Sequence, residues 1–223
     1  MSARFPRASA ELADCAAHGR GSRAELFVVE GDSASLAVAR LRDAAFQAVL
    51  PMQGKPMNAM RAPERRVAAH GFYAALTDAL GAGRGDAFAL DRARFERVLL
   101  LTDPDADGIH CAVLVLGFLQ RWMRPLLDAG CVELVLPPWG EVVGAAGEAP
   151  RLAWSDRELR ELSAAAHRSG RRGVAARRYR GLAGIDAALL ARSCIEPASR
   201  RTTRITTADA TTMVAAFAAG PPA

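Results

Sequence analysis

Three aspartates at alternate positions, Asp103, Asp105 and Asp107, follow directly on the apolar run Val98 to Leu101 and Thr102. Like charges this close repel one another, and a divalent cation is the simplest remedy. Hard oxygen donors favour magnesium or calcium, and magnesium is commonly held by one or two carboxylates together with phosphate oxygens and water. A solvated acidic turn is the plain alternative. D-x-D-x-D-G also opens a calcium-binding EF-hand loop, which needs a helix before it and a bidentate Glu at its twelfth position. Here that position is Leu114 and the preceding segment reads as a strand, so an EF-hand is ruled out. A phosphatase using a strand-end Asp as nucleophile stays open on this segment alone.

The elements that must position these carboxylates follow from local pattern. Val98 to Thr102 is a short apolar run bounded by turn residues, the pattern of a strand buried on both faces. Pro104 and Gly108 stop it, so the carboxylates lie where the strand ends. Glu25 to Glu30 reads as a first strand that also ends on a carboxylate, with a turn and a helix cap at Gly31-Asp32-Ser33. Ser33 to Asp43 is rich in helix formers, and Phe46 to Met52 reads as a strand closed by Pro51 and the loop Gln53-Gly54-Lys55-Pro56. Residues 57–96 read as mostly helix, with a Gly-rich break over 81–85. Ile109 to Leu127 reads as one helix, apolar nearly all round and therefore buried. Cys131 to Leu136 is a fourth strand, and residues 140–150 look like a boundary. Ser155 is positioned to cap a helix to about Ala166, followed by a basic loop from His167 to Gly173. Two further helices, Asp186 to Cys194 and Ala208 to Ala219, flank a short strand at Arg204 to Thr207. Alternating strands and helices predict a parallel sheet with right-handed crossovers, and ligands gather outside the carboxyl ends of such strands. Glu30 and Asp103 are both expected there.

At 223 residues, 51% hydrophobic and 24% charged, the composition is that of an ordinary globular protein. No apolar run is long enough to span a membrane and no secretory signal opens the chain. The cysteines, Cys15, Cys111, Cys131 and Cys194, lack C-x-x-C spacing and read as reduced thiols. Charge is unevenly spread: residues 151–204 hold 13 Arg against 5 acidic residues, whereas residues 1–150 hold 16 basic against 18 acidic. Such a basic segment is either a solvated face or the footprint of nucleic-acid contact. Of 29 basic residues only Lys55 is not Arg, which hints that an ammonium is wanted there. No G-x-x-x-x-G-K-[ST] phosphate loop is present, so no ATP site is expected within the chain.

With E-G-D-S-A (Glu30 to Ala34) and T-D-P-D-A-D-G-I-H (Thr102 to His110) both in view, the chain resembles the B subunit of bacterial type IIA DNA topoisomerases. These are DNA gyrase and topoisomerase IV, and the part matched is the Toprim domain with the tail after it. L-A-D-C (Leu12 to Cys15) looks like the family's lead-in, and L-P-M-Q-G-K-P-M-N (Leu50 to Asn58) is similar to its L-P-L-R-G-K-x-x-N loop, with Lys55 on the family's lysine. L-P-P-W (Leu136 to Trp139), R-Y-R-G-L (Arg178 to Leu182) and E-P-A-S-R-R (Glu196 to Arg201) resemble Q-P-P-L, R-Y-K-G-L and D-P-x-x-R-R, in the family's order. The resemblance implies an α/β fold, a Toprim-type parallel sheet of about four strands flanked by helices, with a small α+β tail. The expected division is a lead-in over residues 1–22, a Toprim domain over 23–140, a basic linker with a short helix over 141–176 and the tail over 177–223.

The activity so implied is magnesium-dependent DNA cleavage and religation, with the attacking tyrosine supplied by a topoisomerase A subunit. Glu30, Asp103 and Asp105 would be metal ligands, with Asp107 shaping the loop or binding a second ion, and Glu30 is also a candidate for proton transfer. Lys55 would neutralise phosphate charge, and Arg177, Arg178 and Arg180 would pin phosphates of double-stranded DNA. A separate ATPase-transducer chain is an expected further partner, since no such segment precedes the module. The resemblance implies a place in the bacterial cytoplasm, at the nucleoid. There are departures: the family's G-G-S-A-K after E-G-D-S-A is Ser35 to Ala39, S-L-A-V-A; its I-R-T-L after the histidine is Cys111-Ala112-Val113-Leu114; and its G-L-G-E is Gly181-Leu182-Ala183-Gly184. These leave two further readings: a non-catalytic Toprim protein that binds DNA or the A subunit and modulates the topoisomerase, and a nuclease or primase-like enzyme. The R-Y-x-G-L tail speaks against the latter.

Overall fold

The computed structural model describes residues 11–144, 149–169 and 173–219. Residues 1–10 of the expected lead-in, 145–148 of the expected boundary, 170–172 of the expected basic loop and 220–223 of the tail lie outside the described residues.

Successive side chains of a strand point to opposite faces, so an apolar run with no polar break must be covered on both. Strand β1 (Glu25–Glu30) sends Leu26 and Val28 to one layer and Phe27 and Val29 to the other. Strand β3 (Arg97–Leu101) does the same with Val98 and Leu100 against Leu99 and Leu101. With β2 (Gln47–Met52) and β4 (Val132–Val135) they form a parallel sheet in the order β2-β1-β3-β4. Helix α1 (Asp32–Leu41) covers one face, and α3 (Gly71–Leu80) with α4 (Ala106–Trp122) covers the other, where Tyr73 stacks on Phe118 at 4.3 Å between ring centroids. The α/β parallel sheet expected from the sequence is present.

The tail adds to this sheet. After the short α7 (Ala187–Leu190), strand β8 (Thr202–Arg204) pairs antiparallel with β4 as a fifth strand, and α8 (Thr207–Ala219) lies along α4. The segment read as a boundary carries structure of its own. β5 (Gly140–Val143) pairs antiparallel with β6 (Arg151–Ala153) and β7 (Ala175–Arg178), and α6 (Asp156–Arg168), capped by Ser155 as expected, packs on this second sheet. Strands this short, three or four residues each and rich in Gly, Ala and Arg, carry almost no apolar alternation, so their pairing is invisible locally.

Three further differences have local causes. Residues 57–96 hold only α2 (Glu64–Ala68), α3 and two 3₁₀ turns. Asn58 accepts from the N–H groups of Met60 and Arg61, a turn that competes with helix, and Arg121 binds the carbonyls of Ala59, Met60 and Ala62. The long helix read from Ile109 to Leu127 starts earlier, at Ala106, and breaks at Met123, where Pro125 opens the short α5 (Arg124–Asp128). Ser33 is not a cap: α1 begins after Gly31, in a left-handed conformation at φ 82°, with no side-chain cap.

The tail is anchored at the amino end of β1. Arg200 and Glu25, each 3% exposed, form a bidentate pair at 2.5 and 2.6 Å, and Gln47 donates to the same carboxylate at 2.9 Å. Arg200 also donates to the carbonyl of Ile195. Arg200→Ala leaves the buried carboxylate with only the half-exposed Arg97, 3.6 Å away and without a hydrogen bond, and should cost about 3 kcal/mol in urea unfolding. Adding Glu25→Met should restore part of that. A loss below about 1 kcal/mol would show the pair behaving like an exposed one.

Candidate metal and nucleic-acid site

Because β1 and β3 are adjacent and parallel, with Val29 opposite Leu101, they deliver Glu30 and Asp103 to the same end of the sheet. The backbone N–H of Asp103 donates to Glu30 Oε2 at 3.1 Å, and the thiol of Cys111 donates to Glu30 Oε1 at 3.4 Å. Both oxygens of Glu30 are therefore engaged. Asp105 is the N-cap of α4 and accepts from the N–H of Gly108 at 2.9 Å. Gly108 is required by close approach: a Cβ there would lie 2.1 Å from the carbonyl oxygen of Asp103. Asp103 Oδ1 accepts from the N–H of Leu182 in the tail at 2.8 Å. Asp107 points away and pairs with Lys55 at 2.8 Å, both side chains well exposed.

The alternate spacing of the aspartates thus puts them to three different uses. Asp103 turns inward, Asp105 caps a helix and Asp107 reaches the lysine loop. Among the described residues, Glu30, Asp103 and Asp105 do not bring one oxygen each within 4.8 Å of one another. The trio that does place its ligand atoms that close is Asp14, Cys15 and His18. There Arg94 lies 2.5 Å from Asp14 Oδ2 and 3.0 Å from His18 Nε2, so a guanidinium already fills the place of a cation.

The electrostatics of the strand ends distinguish the inner carboxylates from the outer one. Burial raises the pKa of Glu30, and the charges of Asp103 and Asp105 add to that effect. Burial and the charge of Asp105 raise that of Asp103. Asp107 is lowered by its hydrogen bond and charge interaction with Lys55, whose own pKa is raised by the same contact. Cys111 is pushed up to about 12 by burial and by Glu30, so it serves as a neutral donor. Two partly buried carboxylates held against their preference are a donor set that suits a hard divalent cation. Asp103 and Asp105 each keep Oδ2 without a hydrogen-bond donor among the described residues.

The arginines separate. Arg178 and Arg180 line a cavity of about 600 Å³ together with Pro104, Asp105 and Tyr179, and Arg178 is stacked on Trp139 at 4.3 Å. Arg177, next along β7, points to the other face, where it pairs with Glu141 at 3.7 Å and lines a different cavity with Arg192 and Arg201. Cys111, Trp139 and the Gly181-Leu182 backbone were not singled out as site residues from sequence. Gly181 and Leu182, inside the R-Y-R-G-L motif, and Trp139, at the end of L-P-P-W, carry a signal in the sequence.

Between the ordinary and the raised pKa of Glu30, the folded protein binds more protons than the unfolded chain, so stability falls as pH rises above 4.5. Without divalent cations, Glu30→Gln should therefore melt at a higher temperature than the wild type at pH 7, and the gap should close towards pH 4.5. An equal or lower midpoint at pH 7 would contradict the strained-carboxylate assignment.

Residues 25–135 match the family model of the Toprim domain. The chain is 35% identical over 200 residues to the DNA gyrase B subunit of Halalkalibacterium halodurans, an alignment covering 90% of this chain and 31% of that protein. It is 36% identical over 200 residues to the DNA gyrase B subunit of Thermotoga maritima, covering 90% and 30%. It is 35% identical over 187 residues to the DNA topoisomerase 4 B subunit of Streptococcus pneumoniae, covering 83% and 28%. The chain thus spans about 30% of the length of these relatives. Motifs, sheet order and similarity agree: the chain carries a match to the Toprim domain over residues 25–135 and resembles the Toprim region of the B subunits of DNA gyrase and DNA topoisomerase 4.

Proposed function

We propose that the chain is the magnesium-dependent cleavage and religation module of a type IIA DNA topoisomerase, taking residues 23–140 as the catalytic unit and 177–223 as its tail. The observation that supports this most is that Glu30 and Asp103 meet at the carboxyl end of one sheet, close in the chain to Asp105, which lines a cavity with Arg178 and Arg180. Asp103 and Asp105 would hold magnesium, which would polarise the scissile phosphate and stabilise the leaving 3′-oxygen. Glu30, held at both oxygens and raised in pKa, is the group in this chain suited to exchange a proton with the leaving oxygen. Arg178, pre-oriented by Trp139, and Arg180 would bind backbone phosphates of double-stranded DNA without reading sequence. Lys55 would add charge once released from Asp107. ATP-driven strand passage would draw on an ATPase-transducer partner.

The nucleophile comes from elsewhere in this reading. Tyr73 is 1% exposed and donates its hydroxyl to the carbonyl of Met57, while Tyr179 is hydrogen-bonded to Glu141; burial raises the pKa of both. An A subunit would supply the attacking tyrosine. The second reading, a non-catalytic modulator of topoisomerase, is favoured by the dispersed carboxylates.

In a supercoiled-plasmid assay with magnesium, the lone chain should be inert, and cleavage should appear with the A subunit of DNA gyrase from the same source. Glu30→Gln should lower that cleavage by about 10²–10⁴-fold. Cleavage by the lone chain would point to a nuclease. A stable complex that never cleaves would point to the modulator.

DNA binding should be weak, sequence-independent and steeply salt-dependent. The double change Arg178→Ala and Arg180→Ala should flatten the slope of log affinity against log salt by about 0.9 per residue. Arg177→Ala should flatten it less, because that side chain faces Glu141 on the other side of the strand. Equal effects at all three positions would remove the distinction between the two faces.

A further inference from the structure

We propose that the tail segment Gly181–Leu182 is a positioning element of the metal site: it fixes one oxygen of Asp103 and leaves the other for the cation. The inference deepens the metal-dependent reading above and rests on it. The segment runs from β7, where the N–H of Tyr179 donates to the carbonyl of Trp139 at 3.0 Å, into a 3₁₀ turn at Leu182–Gly184. Along this path it crosses Asp103.

Two independent features define the crossing. The N–H of Leu182 donates to Asp103 Oδ1 at 2.8 Å, and the Leu182 side chain is wholly buried in the apolar layer beneath α1. The donor is therefore held by packing that does not involve the carboxylate. At Gly181, a Cβ would stand 2.9 Å from Asp103 Oδ2 and 3.2 Å from Oδ1. Its backbone is extended, at φ 165°, so conformational freedom is not what requires glycine. The requirement is space: any side chain would press on the carboxylate the site depends on.

This accounts for how Asp103 is held at the end of β3 with an inward carboxylate. A ligand fixed by a hydrogen bond to its second oxygen loses less freedom on binding an ion, and the loss of such outer partners typically weakens metal affinity 10–100-fold. Tail seating and cation binding are thereby linked. A cation that draws on Asp103 in its strapped position must also favour the strapped state of the tail.

The test uses the full chain and manganese as the probe, read by electron paramagnetic resonance, with hydrogen exchange of residues 179–185 followed by mass spectrometry. Gly181→Ala should weaken manganese binding by about tenfold or more. Gly184→Ala, in the same turn but with nothing within 4 Å of its Cβ, should bind as the wild type does. Without metal, Asp103→Ala should speed exchange of the strap, and manganese should slow it in the wild type. The exchange arms hold even if Gly181→Ala fails to fold. Undiminished manganese binding by folded Gly181→Ala, or strap exchange unmoved by both Asp103→Ala and manganese, overturns the strap alone. No manganese binding by the wild type overturns the metal reading, and the strap's role with it.

Discussion

The buried pair between Arg200 and Glu25 is the constraint on which the tail's placement depends. It joins residues 175 apart in the chain and brings the tail to the amino end of the central strand. A guanidinium and a carboxylate this deeply buried are tolerable only together, and here Gln47 and the carbonyl of Ile195 satisfy the remaining groups. With the tail fixed there, β8 is placed to close the β4 edge and α8 to lie along α4. At the opposite end of the sheet Leu182 returns to Asp103. The tail thus grips the sheet at both ends, and the site lies under one of those grips.

Burial and charge oppose one another at the carboxyl end. Glu30 and Asp103 are gathered into partly buried positions where their charges are unfavourable. Backbone N–H groups and the Cys111 thiol offset part of that cost, because each satisfies a carboxylate oxygen with a neutral donor. A cation would offset more. No three of the expected ligand oxygens converge among the described residues, and Asp103 and Asp105 each keep an oxygen without a hydrogen-bond donor there.

The arginines illustrate how secondary structure divides a sequence cluster. Arg177 and Arg178 are neighbours in the chain, but adjacent residues of a strand face opposite sides. Pairing of β7 with β5 sets Arg177 opposite Glu141 and leaves Arg178 beside Trp139 and the cavity that Asp105 lines. The basic character of the segment is a property of composition. Which arginines share a surface with the carboxylates is decided by pairing between strands.

Local pattern was enough to specify the parallel sheet and to bring Glu30 and Asp103 to one end of it. Unbroken apolar runs such as Phe27 to Val29 and Val98 to Leu101 must be covered on both faces, and the carboxylates that terminate them must then lie at one end. Motif order identified the family for the same reason: the motifs mark positions where backbone or charge leaves little choice, Gly108 against Asp103 among them. The second sheet, the Lys55–Asp107 pair, the Arg200–Glu25 anchor and the hold of Leu182 on Asp103 became visible only in the folded chain. Each of these joins segments that local pattern treats separately. A backbone N–H has no residue identity to read, and a short polar strand shows its partner only once the chain has folded back upon it.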